Sequence, residues 1–256
     1  MPGGVSVHRR AASVLTAGSA FYAWATGVGP GAWWPMQDAS GTTAEDVIGS
    51  FDLTGTNVTA AQAGPGASPF DKAFSFSGSG SKFDAGDQAM FSSQVGSSGK
   101  SSFMVLANFS ALSNYRSIFG KEAAGQYEYD AFAFANGAVK WQVPLDNGAI
   151  NVIECTSSAG AVATSTWYLL TFVVDMDPTS IQVYVNTSLA ASSSSPSSPA
   201  AWGGNGTAAF QIGNRADSAL TPFAGKMLQA LYFNGIALDS TAVAAAHAAL
   251  VTDGVL

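Results

Sequence analysis

A chain of 256 residues, 47% hydrophobic and 11% charged, has ample material for a core and too little charge for a disordered chain. Its net charge is −7 and it holds only ten Lys and Arg, too few to neutralise a run of phosphates, so nucleic acid is set aside as a partner. A single cysteine, Cys155, excludes an intrachain disulfide, and with two histidines no Cys/His spacing resembles a zinc or iron site.

The first feature along the chain is an uncharged run, residues 11–37, behind His8-Arg9-Arg10. It is diluted by Ala, Ser, Thr and Gly, too weakly apolar for a membrane span or a signal core, and reads as a retained N-terminal arm over residues 1–31. As a helix the arm gathers Val14, Leu15, Gly18, Phe21, Tyr22 and Ala25 on one face, with Gly27 as the stop. Such a face needs a partner, either its own domain or another subunit, and Val14, Leu15, Phe21, Tyr22 and Trp24 are the candidate assembly residues.

From residue 32 the pattern has period two, broken by Gly, Ser, Asn and Asp. Strands are predicted at 33–36, 51–54, 73–77, 82–85, 102–109, 116–121, 127–135, 138–143, 151–155, 166–174, 180–186, 208–213 and 226–233. Asn136-Gly137 is a hairpin signal, and Pro178 sets a second turn. Residues 166–174 are apolar in both alternating sets, so this strand is central and covered on both faces, with Trp167 expected to be buried. The Ser/Ala-rich stretch 188–206 reads as one long loop carrying Trp202. The clear helix comes last: Asp239 caps it, and Val243, Ala246 and Leu250 line one face. Many short strands without intervening helices predict an all-β domain over 32–256, a sandwich or a barrel.

Five segments in order carry a resemblance: "AWWPMQDASGTTAEDVIGSFDLTGTN", "DKAFSFSGSGSKFDAG", "SSFMVLANFSA" with "RSIFGKE", "STWYLLTFVVDMDPTSIQVYVNTSLAAS" and "FQIGNRADSALTPFAGKMLQALYFNGIALDSTAVAAAHAAL". The set resembles the laminin-G-like jelly rolls of the concanavalin A-like lectin/glucanase superfamily. The resemblance implies an all-β, two-sheet antiparallel jelly-roll sandwich with one concave sheet and a C-terminal helix, preceded here by the arm.

Hydrolases of that superfamily carry three acids on one strand as Glu-x-Asp-x-x-Glu. Here Glu128-Tyr129-Asp130 begins the pattern, but Ala133 stands in the third place. One unassisted carboxylate cannot serve both halves of the reaction, so the expectation is no enzyme. Alternation puts Glu128, Asp130, Phe132 and Phe134 on one strand face. His8 and His247 lie in the arm and the last helix and offer no triad. No cofactor is required, but the resemblance implies that calcium is possible at a rim; Asp84, Asp87, Asp175 and Asp177 are the candidate ligands, with ordinary turn roles as the competing reading. Trp202, Tyr127, Tyr129, Asn136 and Trp141 are the candidate glycan contacts, aromatics for stacking and an amide for hydroxyls.

Two functions from different classes follow. One is a structural and adhesive component of a particle such as a bacteriophage virion, displayed on its surface as a decoration or attachment protein and bound to other subunits through residues 1–31. The other is a secreted or cell-surface lectin-like domain. The discriminating observation is whether the arm packs on its own sandwich or elsewhere.

Overall fold

The computed structural model describes residues 18–67, 69–92, 99–123, 126–144, 152–176, 179–194, 206–216 and 222–256, the side chains of Gln126, Tyr127, Pro144 and Thr179 excepted. Its strands are β1 (Ala32–Trp34), β2 (Thr43–Ala44), β3 (Leu53–Thr56), β4 (Val58–Ala63), β5 (Lys72–Ser77), β6 (Lys82–Asp84), β7 (Lys100–Phe109) and β8 (Arg116–Ala123). Then follow β9 (Gln126–Ala133), β10 (Val139–Pro144), β11 (Val152–Thr156), β12 (Trp167–Met176), β13 (Thr179–Val185), β14 (Ser188–Ser194), β15 (Gln211–Ile212) and β16 (Ala224–Asn234). Two helices flank them, α1 (Ala20–Val28) and α2 (Ser240–Thr252).

The strands form two eight-stranded antiparallel sheets. The first runs β14-β13-β12-β7-β16-β5-β4, with β1 also paired to β16; the second runs β11-β10-β9-β8-β15-β6-β3-β2. This is the predicted jelly-roll sandwich. β7, β12 and β16 sit at the middle of the first sheet because each is apolar on both faces. Their inward set, with Phe103, Val105, Leu170, Phe172, Met227 and Tyr232, meets Phe83, Phe119, Tyr129, Trp141 and Ile212 of the second sheet. Phe103 and Phe119 stack across the interface with ring centroids 4.4 Å apart. Their outward set, with Met104, Leu106, Leu169, Val173, Leu231 and Phe233, forms a second core against Phe21 and Ala25 of α1 and Val243, Ala246 and Leu250 of α2.

Asp239 caps α2 as expected, its carboxylate accepting from the Ala242 N–H at 2.8 Å. The end of α1 differs from expectation: Gly29, at φ +82°, ends the helix, two residues beyond Gly27. Its first turn is held by the far end of the chain. The Asp253 carboxylate accepts from Ser19 Oγ and from the N–H groups of Ala20 and Phe21, each at 2.9 Å. Two backbone N–H groups that a helix N-terminus otherwise leaves open, together with the Ser19 hydroxyl, are thus satisfied by one anion. α1 packs in cis: Phe21 is buried, Tyr22 lies against Trp33 and Trp24 against Phe233. Val14 and Leu15 lie outside the described residues.

Three strands escape the sequence pattern: β2, β4 and β14. β14 occupies the start of the predicted loop. It is an edge strand, paired only with β13, so backbone hydrogen bonds hold it without an apolar face of its own. Asn186, at φ +55°, makes the turn that folds it back. Trp167 is a correction too: it is only partly buried, at the rim of the second core. The "EDVIG" turn is built around Asp46, which accepts from the N–H groups of Trp33, Ile48 and Phe51. A Cβ on Gly49 would come within 2.7 Å of the Asp46 carboxylate, so a side chain there would break this cap.

Candidate functional site: the outward face of the second sheet

Both α-helices lie on the outward face of the first sheet, and among the described residues no α-helix covers the outward face of the second. Its registers align one residue from each strand: Glu154, Gln142, Asp130, Gly120, Gln211, Asp84, Thr54 and Thr43, running from β11 to β2. The flanks of this polar row are exposed or half-buried, but its centre is covered: Asp130, Gly120 and Gln211 are buried. Arg215, in the loop after β15, sits there. Its guanidinium lies 2.8 Å from the Glu122 carboxylate and 3.0 Å from that of Asp130, joining β8 to β9.

Glu128 does not share this face. The β8–β9 register shifts between Lys121 and Glu122, so two residues of β9, Glu128 and Tyr129, stand against Lys121. The bulge resets the alternation and turns Glu128 toward the sandwich interior with Tyr129. There it is ion-paired to Lys121, which also reaches Asp87 at 2.9 Å and the Gly206 carbonyl at 3.1 Å. Glu128, Asp130 and Lys121 are fully buried. The two acids of the "EYD" run therefore lie on opposite faces, each neutralised by its own cation, rather than together at an exposed strand end.

At the β9–β10 end of the outward face lies an aromatic cluster. Tyr115, Phe132 and Phe134 meet with ring centroids 5.3–5.5 Å apart. Asn114, Tyr115, Phe134, Ala135 and Asn136 line an open cleft of about 310 Å³ beside it. Tyr115 is 46% exposed, one of few large apolar side chains so placed among the described residues. It sits in the turn before β8 at φ +56°, a region unfavourable for a bulky side chain. The Asn136 side-chain oxygen accepts from the Ala138 N–H at 3.0 Å.

Among the described residues, Asn136 alone of the predicted glycan contacts lies in this cleft. Tyr129 and Trp141 are corrections: both belong to the sandwich core. The Tyr129 hydroxyl donates to the Phe91 carbonyl and its pKa is raised well above the usual value by burial; the Trp141 N–H donates to the Val173 carbonyl at 3.2 Å. The Tyr127 side chain and Trp202 lie outside the described residues. Asn114, Tyr115 and Phe134 were missed. The signal was there for Tyr115, an aromatic in a polar turn, where solvent rather than core is the default.

The three candidate calcium ligands among the described residues each have other partners. Asp84 is engaged by Lys82 Nζ, Gln211 Nε2 and the Gly86 N–H; Asp87 pairs with Lys121; Asp175 pairs with Lys100 on the first sheet. Asp177 lies outside the described residues. Among the described residues no group of three or more His, Cys, Asp and Glu is arranged to hold a metal ion. Cys155 offers no nucleophile: burial pushes its thiol up to about 12. Among the described residues no helix is long and apolar enough to cross a membrane.

Comparison with curated proteins found no match. Among solved structures, domain 4 of AbnA, a GH43 extracellular arabinanase from Geobacillus stearothermophilus, in complex with arabinotriose, superposes with a TM-score of 0.58 at 18% identity, over 84% of this chain and 97% of that one. A mutant of Trypanosoma rangeli sialidase displaying trans-sialidase activity gives a TM-score of 0.58 at 15% identity, over 89% of this chain and 33% of that one. At these identities the likeness is one of fold. The Laminin_G_3 family matches residues 83–244, more than half of the sequence, and the chain therefore belongs to the concanavalin A-like lectin/glucanases superfamily.

Proposed function

We propose that this chain is a non-catalytic, lectin-like glycan-binding module that works outside the cell or at its surface. The observation that carries the reading is the half-exposed Tyr115, buttressed by Phe132 and Phe134 and flanked by Asn114 and Asn136 in an open cleft. Stacking rings with a few placed amides are what a sugar needs, a C–H face to cover and hydroxyls to pair. The fold likeness to the AbnA domain with bound arabinotriose supports the same reading. The non-catalytic reading is supported by Arg215, which bridges the buried Glu122 and Asp130, and by a cleft that no carboxylate lines among the described residues.

The test is a glycan array probed with the full chain and with Tyr115→Ala. Binding by the parent that the variant loses is the expected result. Reducing-sugar release that Asp130→Asn abolishes would overturn the non-catalytic reading. Display on a particle such as a virion is the second reading, and the uncharged N-terminal run supports it. Because α1 spends its apolar face on its own sandwich, an anchor to other subunits would have to lie in residues 1–17.

A further inference from the structure

Resting on the glycan-binding reading, we propose that the Tyr115 cleft takes the end of a neutral hexopyranose glycan and turns away acidic sugars such as sialic acids. The first ground is charge. Among the described residues the lining, Asn114, Tyr115, Phe134, Ala135 and Asn136, supplies aromatic, amide and methyl surface and no ionised group. A sugar carboxylate entering such a site sheds water and needs a cation in exchange. The cations that the described strands bring to this end are engaged elsewhere, Arg116 among them, its Nη1 donating to the Pro222 carbonyl at 2.8 Å. Lys140 Nζ lies 2.5 Å from the Glu154 carboxylate and 5.8 Å from the Phe132 ring centroid. Arg215 is held between Glu122 and Asp130.

The second ground is shape. A volume of about 310 Å³ is at the small end of small-molecule sites, room for about one sugar ring and part of the next. Phe132 and Phe134 fix the Tyr115 ring from the sheet side, so its free surface is a preordered platform. A pyranose with a continuous C–H face covers such a ring better than a puckered furanose does. The third ground is the amide orientation. With its oxygen held by the Ala138 N–H, Asn136 presents donors, suited to hydroxyl and ring oxygens.

The backbone adds an independent point. Tyr115 pays for a left-handed conformation that glycine adopts freely. Packing on Phe132 and Phe134 accounts for one side of the ring, and a ligand would account for the side left in solvent.

The experiment is calorimetric titration of the full chain with lactose, 3′-sialyllactose and arabinotriose, at low and high salt. Tyr115→Gly and Asn136→Asp are titrated alongside; the second keeps the acceptor for Ala138 and removes the donors. Lactose should bind with little salt dependence, and more tightly than the other two sugars. Each variant should weaken it about tenfold or more, as loss of an anchor residue does. Tyr115→Gly loses two ring contacts and relieves a positive φ, opposing effects of about 1 kcal/mol each, so it should melt within a few degrees of the parent, which separates a lost ligand contact from a damaged fold. Tighter binding of sialyllactose, weakened by salt, overturns the neutral-sugar class and leaves glycan binding standing. Binding of arabinotriose but not lactose overturns the pyranose class alone. Lactose binding untouched by Tyr115→Gly moves the site elsewhere, and no binding of any sugar by the parent overturns the glycan reading as well.

Discussion

Replacing Lys121 by Met should destabilise the fold by about 3–5 kcal/mol, because it strands a charge where water does not reach. The lysine is fully buried, as is Glu128, whereas the Asp87 side chain is 40% exposed. These exposures decide which pair matters. Water can take over the solvation of Asp87, so loss of that contact costs at most about 1 kcal/mol. Glu128 is fully buried, so water cannot stand in for the lost ammonium there. In urea unfolding, with a slope near the upper end of about 1–3 kcal/mol per M, the midpoint should fall by roughly 1–2 M. Lys121→Met combined with Glu128→Leu should recover most of the loss, since an apolar pair of similar volume often replaces a buried ion pair at little cost. A single variant within about 1 kcal/mol of the parent, or a double variant as unstable as the single, would refute the argument.

Asp253→Ala removes the anion that accepts from Ser19, Ala20 and Phe21, and should cost about 1–3 kcal/mol while α1 becomes the first site of proteolysis. Cleavage between residues 18 and 31 no faster than in the parent would show that side-chain packing alone seats the helix. Asp38 is pushed from 3.8 up to about 6, first by burial and then by the charge of Glu45. Its folded-state pKa is raised, so the fold is favoured while the group is protonated and loses that preference as pH climbs from about 4 through 6. Asp38→Asn should therefore raise the melting temperature above pH 6 and change little below pH 4; a gain of equal size at both would locate the effect elsewhere.

The sandwich was legible in the sequence because its signals are local. Period-two runs such as 102–109 and 166–174 declare strands whatever they pair with, and Asp239 ahead of an Ala-rich run declares α2 through capping chemistry alone. β14 was not legible, because an edge strand is held by its neighbour's backbone and its Ser/Ala sequence carries no pattern. The site depended on tertiary structure for a sharper reason. Which face a strand residue occupies is a matter of parity, and one extra residue reverses it. The bulge opposite Lys121 separates Glu128 from Asp130 although the sequence alternates without a break. Alternation likewise identifies Tyr129 and Trp141 as aromatic strand residues but not the side they face, and pairing with the first sheet sends both inward. Tyr115 and Phe134 are 19 residues apart and become neighbours only because β8 and β9 pair antiparallel and bring Arg116 opposite Ala133. The sequence by itself determined strands, caps and the want of a third acid at Ala133; pairing and register, which are contacts between distant segments, decided which aromatics remain outside the core.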